Sequence, residues 1–425
     1  MKSTRKTVLL VAHPASYRTA SFIGAGERLG VRTVVASNSR LGLSPTGRPG
    51  VEIDFSDPQI AVERIRQFHA RDPISAVLGI EDVSLEIAAS VAQALSLKSN
   101  KPQAIQDARL KHQCRKILAT AGLLSPTYRV LEPEEMMSSE WVGECGFPCV
   151  VKPVSLSGSR GVIRADNANG LSAAIVRVRG MLERENPNLD RSILIEKFIE
   201  GHEYAVEGVL RSGKFQCLAI FDKPDPLDGP YFEETIYLTP PDIRNNLKAD
   251  IVNTIATACR AIGLTHGPIH AECRVNSKGV WVLEVAPRTI GGQCGRLLDL
   301  ALGLSLEEVI MTNALGHTAR VVNDGQAAGV MMIPVPGPGV LRRLEGLARA
   351  RAVNRIESVL IDVNPGHLFV PWPEGSSYPG FIFAKAPHAA QVEHALRQAH
   401  AELEFVLAPH FPITAPARRV VDESL

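Results

Sequence analysis

Glu272 and Glu284 stand out in this 425-residue chain as residues whose types and spacing could do chemistry. The runs around them, Ala271–Val275 and Gly279–Val285, read as two strands joined by a turn at Asn276-Ser277-Lys278-Gly279. Such a hairpin can bring carboxylates twelve positions apart onto one face, close enough to repel unless a cation sits between them. Mg²⁺ suits the pair because it takes oxygen ligands, keeps several waters and shares its shell with substrate phosphates. Taken alone, two glutamates are more simply surface ion pairs. The apolar run Val280–Leu283 and Arg288, four residues beyond Glu284, argue for a charged site inside the protein instead.

A second set of residues suits phosphate. Val150-Val151-Lys152-Pro153 ends a strand with a lysine, and Ser155–Gly161 follows as a loop of small residues. Serines and glycines let backbone N–H groups approach phosphate oxygens, while the lysine adds a point charge. By itself such a loop is more often a plain turn. The Walker pattern GxxxxGK[ST] is absent, but Lys111 on a preceding helix and the run Ile193–Glu203 accompany the loop.

These residues need elements to hold them. Strand Thr7–Ala12, helix Thr19–Leu29, strand Arg32–Ala36, strand Ile74–Leu78 and helix Val83–Leu95 read as a small doubly wound α/β domain over residues 1–105. No GxGxxG follows its first strand, so no dinucleotide is expected there. Asp107–Ala121 reads as one basic amphipathic helix stopped by Gly122. The strands Phe147–Val151 and Ser192–Glu196, with a helix over Leu171–Glu185, make a compact α+β lid over about 150–200. Tyr204–Val209 and Gln216–Phe221 alternate as strands, Ile251–Ile262 is a helix, and 329–425 forms a last α+β unit closed by a helix from His388 to Leu407.

In this order the motifs resemble the ATP-grasp superfamily. The resemblance spans roughly residues 105–300: Lys111 ten residues before Ala121-Gly122, Lys152-Pro153 with its loop, Glu196-Lys197-Phe198-Ile199, Glu203, and then Glu272, Glu284 and Arg288. Within the superfamily, Gly267-Pro-Ile-His-Ala-Glu272, Glu284-Val-Ala-Pro-Arg-Thr-Ile-Gly-Gly292 and the C-terminal unit look most like the L-amino-acid ligases. The fold implied is α/β and α+β multidomain, with an ATP-grasp domain at 106–328 between the units 1–105 and 329–425. The activity implied is ATP-dependent amide formation through an acyl phosphate, releasing ADP.

The resemblance also implies roles. Lys111 and Lys152 would neutralise the nucleotide phosphates, and the loop with Ser157, Gly158, Ser159 and Gly161 would close over them. The backbone of Glu196, Lys197, Phe198 and Ile199 would recognise adenine, Glu203 the ribose, and Lys223 the γ-phosphate region. Glu272 and Glu284 would ligate two Mg²⁺, or Mn²⁺. Arg288 would stabilise the acyl phosphate and oxyanion. Apart from the resemblance, the position of His270 and His266 near the glutamate strand would let one of them orient a substrate carboxylate. Many relatives carry asparagine two residues after the second glutamate, where this chain has Ala286. Some members close to the amino-acid ligases share that replacement.

Composition sets the outer bounds. With 46 Lys plus Arg against 45 Asp plus Glu, the net charge of +1 gives no broad field for nucleic acid or membrane. No apolar run approaches the roughly 18 residues of a membrane helix, and Val8–Ala12 is too short for a signal core, so a cytoplasmic protein is expected. The seven cysteines lack zinc spacing and read as reduced thiols. Small-molecule carboxylate and amine substrates are expected, and the resemblance implies a homodimer. His266, and equally His270, also read as structural; Gly291-Gly292 as a turn or as room for a side chain; Trp141, Trp281 and Trp372 as packing; Arg342-Arg343 and Arg418-Arg419 as solvated faces. Two rivals stand beside this reading: a carboxylase working through carboxyphosphate, whose Val-Glu-His element is absent from the run Thr289–Gln293 directly after Arg288, and a non-catalytic nucleotide-binding module, against which the intact Lys111, Lys152, both glutamates and Arg288 argue.

Overall fold

The computed structural model of the chain describes residues 5–14, 16–38, 50–135, 146–185, 189–303, 305–319 and 325–410. Trp141, Cys145 and Arg418-Arg419 lie outside them.

The N-terminal strand Thr7–Val11 is wholly buried and apolar from Val8 onward, as suits a strand covered on both faces. It is central in a four-stranded sheet ordered Val51–Glu52, Arg32–Ser37, Thr7–Val11, Ala76–Gly79, and every pairing is parallel. Helix Asp82–Ala94 follows the last strand, and Glu81 caps it in a capping box with Ser84.

The lid has its own antiparallel sheet, ordered Tyr128–Leu131, Ile193–Lys197, Cys149–Pro153, Ile163–Ala165. Helix Ala168–Leu182 packs Leu171, Ile175, Val178 and Leu182 against it, giving the lid a separate core. Asn167 caps that helix by accepting from the Gly170 N–H at 2.9 Å.

An eight-stranded antiparallel sheet forms the body. Its order is Gly279–Ala286, Gly267–Asn276, His202–Arg211, Lys214–Asp222, Ile236–Thr239, Ala327–Met332, Gly380–Ala386, Ile356–Ile361. The last three strands belong to the segment read from sequence as a unit of its own, so the C-terminal part continues the central sheet. A three-stranded sheet, Leu368–Phe369, Gly339–Glu345 and Glu404–Ala408, completes it.

Two elements depart from the sequence expectation. The helix expected over Asp107–Ala121 is two helices, Pro102–Arg109 and Lys111–Thr120, separated by extended Leu110. No glycine or proline marks that break. It makes Lys111 the first residue of a helix. The closing helix spans Ala389–Ala401, and Glu404–Ala408 turns back as a strand on Gly339–Glu345, which gives its backbone groups a ladder. One core joins the units: Leu10 from the first sheet and Phe22 from helix Thr19–Arg28 pack with Ile310 and Met311 and with Phe381 and Phe383 from the C-terminal part. Truncating one large member to alanine costs about 2–5 kcal/mol.

Candidate active site

The hairpin Gly267–Asn276 and Gly279–Ala286 sets the site, through a departure from regular pairing. From Asn276 opposite Gly279 to Cys273 opposite Val282 the ladder is regular, and in that register Glu272 would meet Leu283. A bulge makes Leu283 an extra residue, so Glu272 stands opposite Glu284 instead. In an unbroken ladder Glu284 would point to the other face. The side-by-side carboxylates expected from the spacing therefore exist because of the bulge.

Both carboxylates line a cavity of about 710 Å³ between the body, the lid and the C-terminal part. Fourteen of the sixteen residues singled out from the sequence line it: Lys111, Lys152, Ser157, Gly158, Ser159, Glu196, Lys197, Phe198, Ile199, Glu203, His270, Glu272, Glu284 and Arg288. Gly161 and Lys223 are not among its lining residues. Gly161 gives its N–H to the Pro373 carbonyl at 2.9 Å, so that amide is already used within the chain.

At the lid end, Lys111 donates from Nζ to the Leu156 carbonyl at 2.9 Å, tying its helix to the small-residue loop. Gly158 and Ser159 have φ of +65° and +57°, a left-handed pair in which a serine is held at a cost that concentrates at functional loops. Glu196 is buried between Arg115, which donates from Nε at 3.0 Å, and Lys152. Burial alone would raise the Glu196 pKa, but Arg115 and Lys152 outweigh it and hold the carboxyl below its usual range. Burial lowers Lys152 despite Glu196. Arg115 is 1% exposed and escaped the sequence reading, because one arginine on a basic helix face carries no signal.

Beyond the segment Glu196–Ile199, three residues named from the sequence meet in a cluster that it did not announce. Lys223 donates from Nζ to Glu203 at 2.8 Å, to Glu234 at 2.6 Å and to Glu272 at 2.8 Å. The three carboxylates offer oxygens within 4.8 Å of one another, the geometry of a metal cage, and the ammonium occupies it. Burial disfavours the charged lysine, but the three glutamates raise its pKa well above the usual value. Glu203, assigned to ribose through the resemblance, uses Oε1 for Lys223 and Oε2 for Arg274, the latter at 2.8 Å. Glu234 and Arg274 line the cavity and had no sequence motif to flag them.

His270 lies beside the carboxylates. Its Nδ1 is 3.2 Å from Glu207 Oε2 and its Nε2 is 3.8 Å from Glu272 Oε1. Burial lowers its pKa, yet the hydrogen bond to Glu207 and the nearby Glu272 carboxylate prevail and lift it to about 9, which favours the cationic ring at neutral pH. His266 is not among the cavity-lining residues.

Arg288 follows the strand end and donates from Nε to Asp82 at 2.7 Å. Its Nη1 donates to the Thr289 carbonyl at 3.0 Å, so Glu284, four residues before it, is not the group it bonds. Three further contacts from the first domain pin the segment after it: Tyr17 donates to the Gly292 carbonyl at 2.7 Å, and Arg18 donates to Thr289 Oγ1 and to the Ile290 carbonyl. Gly292 has φ +59°, and a Cβ there would lie 3.3 Å from Phe381, so this turn favours glycine. Trp372, expected only to pack, is 5% exposed, lines the cavity and lies 4.9 Å from the Tyr378 ring.

The comparisons agree with this geometry. Residues 23–97 match the ATP-grasp N-terminal domain, residues 145–296 the ATP-grasp domain, and residues 331–408 the L-amino acid ligase C-terminal domain 2. The chain is 24% identical over 389 residues to dapdiamide A synthase of Enterobacter agglomerans, covering 85% of this chain and 88% of that protein. It is 24% identical over 269 residues to alanine--anticapsin ligase of Bacillus amyloliquefaciens, covering 59% and 56%. The crystal structure of L-amino acid ligase from Bacillus licheniformis superposes with a TM-score of 0.76 at 25% identity, over 96% of this chain and all of that one. A lysine-flanked small-residue loop, facing glutamates and a partly buried arginine around one cavity thus coincide with these matches, and the chain belongs to the ATP-grasp superfamily of ATP-dependent ligases, with the C-terminal domain of an L-amino acid ligase.

Proposed function

We propose that this protein joins the carboxylate of an L-amino acid to the amine of a second small molecule, using ATP and releasing ADP and phosphate. The observation that carries the reading is the placement of Lys111, Lys152, Glu272, Glu284 and Arg288 around a single cavity.

A carboxylate is a poor electrophile and must be activated. Lys152 and Lys111, with the loop at 157–161, are placed to bind the nucleotide phosphates, and the backbone from Glu196 to Ile199 to meet the base. The facing carboxylates of Glu272 and Glu284 are an all-oxygen donor set that suits Mg²⁺, which when bound neutralises charge on the transferring phosphoryl group. We assign two ions; Ala286 contributes no ligand, leaving water or substrate oxygens to complete the shell. The substrate carboxylate attacks the γ-phosphorus and ADP departs, leaving an acyl phosphate. The amine then attacks the acyl carbon, Arg288 stabilises the oxyanion, and phosphate leaves. The lid over about 150–200 keeps water from the intermediate. Cationic His270 is placed to hold a substrate carboxylate.

No helix among the described residues is long and apolar enough to cross a membrane. We assign the protein to the cytoplasm as a homodimer acting on small molecules. Incubating it with ATP, Mg²⁺ and pairs of amino acids should give ADP, phosphate and amide in equal amounts for at least one pair. Stoichiometric AMP and pyrophosphate would defeat the acyl-phosphate route.

A further inference from the structure

Besides the contacts of Lys111 and Arg115, two groups of hydrogen bonds hold the lid. On one side, Arg164 donates from its backbone N–H to the Pro230 carbonyl at 2.9 Å and from Nη1 to the Asp228 carbonyl at 2.8 Å, while Ile163 bridges Tyr231. On the other, three consecutive residues of the C-terminal part grip it. Trp372 donates from Nε1 to the Gly158 carbonyl at 3.4 Å, Pro373 accepts from the Gly161 N–H at 2.9 Å, and Glu374 takes a fork from Arg177, Nε to Oε1 at 2.7 Å and Nη2 to Oε2 at 2.8 Å. Arg177 lies on the lid helix, and its Nη1 also bonds the Tyr231 hydroxyl. The turn presenting these residues needs Gly375, whose N–H reaches the Pro371 carbonyl and where a Cβ would come within 2.0 Å of the Val370 carbonyl oxygen.

We propose that Trp372-Pro373-Glu374 is a clasp whose residues position the phosphate loop, with Glu374 and Arg177 as its ionic catch. The contacts at Gly158 and Gly161 bracket the loop, and the Arg177 fork fixes the helix packed behind it. The two sides of the catch belong to the lid and to the C-terminal part, 197 positions apart in sequence, so the grip exists only when the lid is down. An exposed ion pair alone is weak, but a bidentate carboxylate pair is stronger and directional, and here it acts alongside two backbone contacts on one short strip. Resting on the ligase reading, the clasp explains how the C-terminal part serves the reaction: it holds the loop over the acyl phosphate until the amine has attacked.

The test uses the full chain carrying Arg177→Glu, Glu374→Arg, and both together, with melting temperature recorded for each. Hydrogen exchange over residues 155–163, with and without Mg²⁺ and a non-hydrolysable ATP analogue, should quicken on the order of 5-fold in each single variant, the scale of one such pair. In turnover, ADP formed per amide should rise in the single variants as the intermediate meets water. The double variant, which restores the pair in reverse, should recover both readouts. Unchanged exchange in both single variants, or a double variant no better than the worse single one, would overturn the clasp. If a single variant does not fold, Glu374→Gln, which keeps size and one acceptor, carries the same comparison. If the unaltered protein makes no amide from any pair, the ligase reading falls, and hydrogen exchange still decides the clasp.

Discussion

Arg288 and Asp82 are joined at 2.7 Å although 206 positions separate them, so a side chain facing the cavity is held by the first domain. Asp82 is the first residue of helix Asp82–Ala94, where the positive end of the helix favours a carboxylate. Burial opposes the charge on Arg288, but Asp82 and Glu284 raise its pKa above the ordinary value, and it stays cationic throughout the working range. Replacing Asp82 by Asn keeps the shape and removes the anchor's charge. Amide formation should fall about 10-fold, the worth of one charged hydrogen bond, with ATP affinity little changed. Steady-state kinetics with ATP varied separately would show this, and an unaltered kcat would make the pair purely structural.

Arg288→Lys tests the arginine itself. A lysine supplies charge without the planar fork. Nucleotide binding should persist, because Lys111, Lys152 and the segment Glu196–Ile199 are untouched, while amide synthesis should drop roughly 10²–10³-fold, as on losing one oxyanion donor. A lower melting temperature with an unchanged rate per folded molecule would remove the catalytic assignment.

Glu272→Gln and Glu284→Gln keep size and remove charge. Turnover should fall at least about 10²-fold in either variant. Their stabilities should differ, since Glu272 also accepts from Lys223 at 2.8 Å. The Glu272 variant should therefore melt lower than the Glu284 variant. Activity at saturating Mg²⁺ and thermal unfolding, measured side by side, separate the two effects, and near-normal turnover in both would strike them from the ligand set.

Lys223→Met removes the one ammonium that meets Glu203, Glu234 and Glu272 together. Lys223 is 3% exposed, so the carboxylates would be left close together without their shared counter-charge. Unfolding free energy should fall by about 3–5 kcal/mol, as for other broken buried pairs. Urea denaturation measures it, and a change below about 1 kcal/mol would mean that protons or water replace the lysine readily.

Much of the architecture was legible locally. The apolar run Val8–Val11 marked a strand covered on both faces, and the Asn276–Gly279 turn marked the hairpin that carries the glutamates. The phosphate loop announced itself through Lys152 and the small residues after it, which line the cavity in the fold. Each of these signals is a short-range property: periodicity, turn chemistry, or a charge placed beside residues without bulk.

What the tertiary structure alone decided lies in register and in long-range partners. Nothing around Leu283 says that it is an extra residue in the ladder, yet that bulge puts Glu284 opposite Glu272. No breaker precedes Lys111, yet the chain is extended at Leu110 and Lys111 begins a new helix. Glu234, Arg115, Asp82 and Trp372 belong to no motif, and each gains its role from a neighbour distant in sequence. The physical reason is common to all of them. A buried charge is tolerable only beside its counter-charge, and which two charges meet is set by how the sheets and the lid pack together, a balance over the whole core that no local stretch of residues encodes.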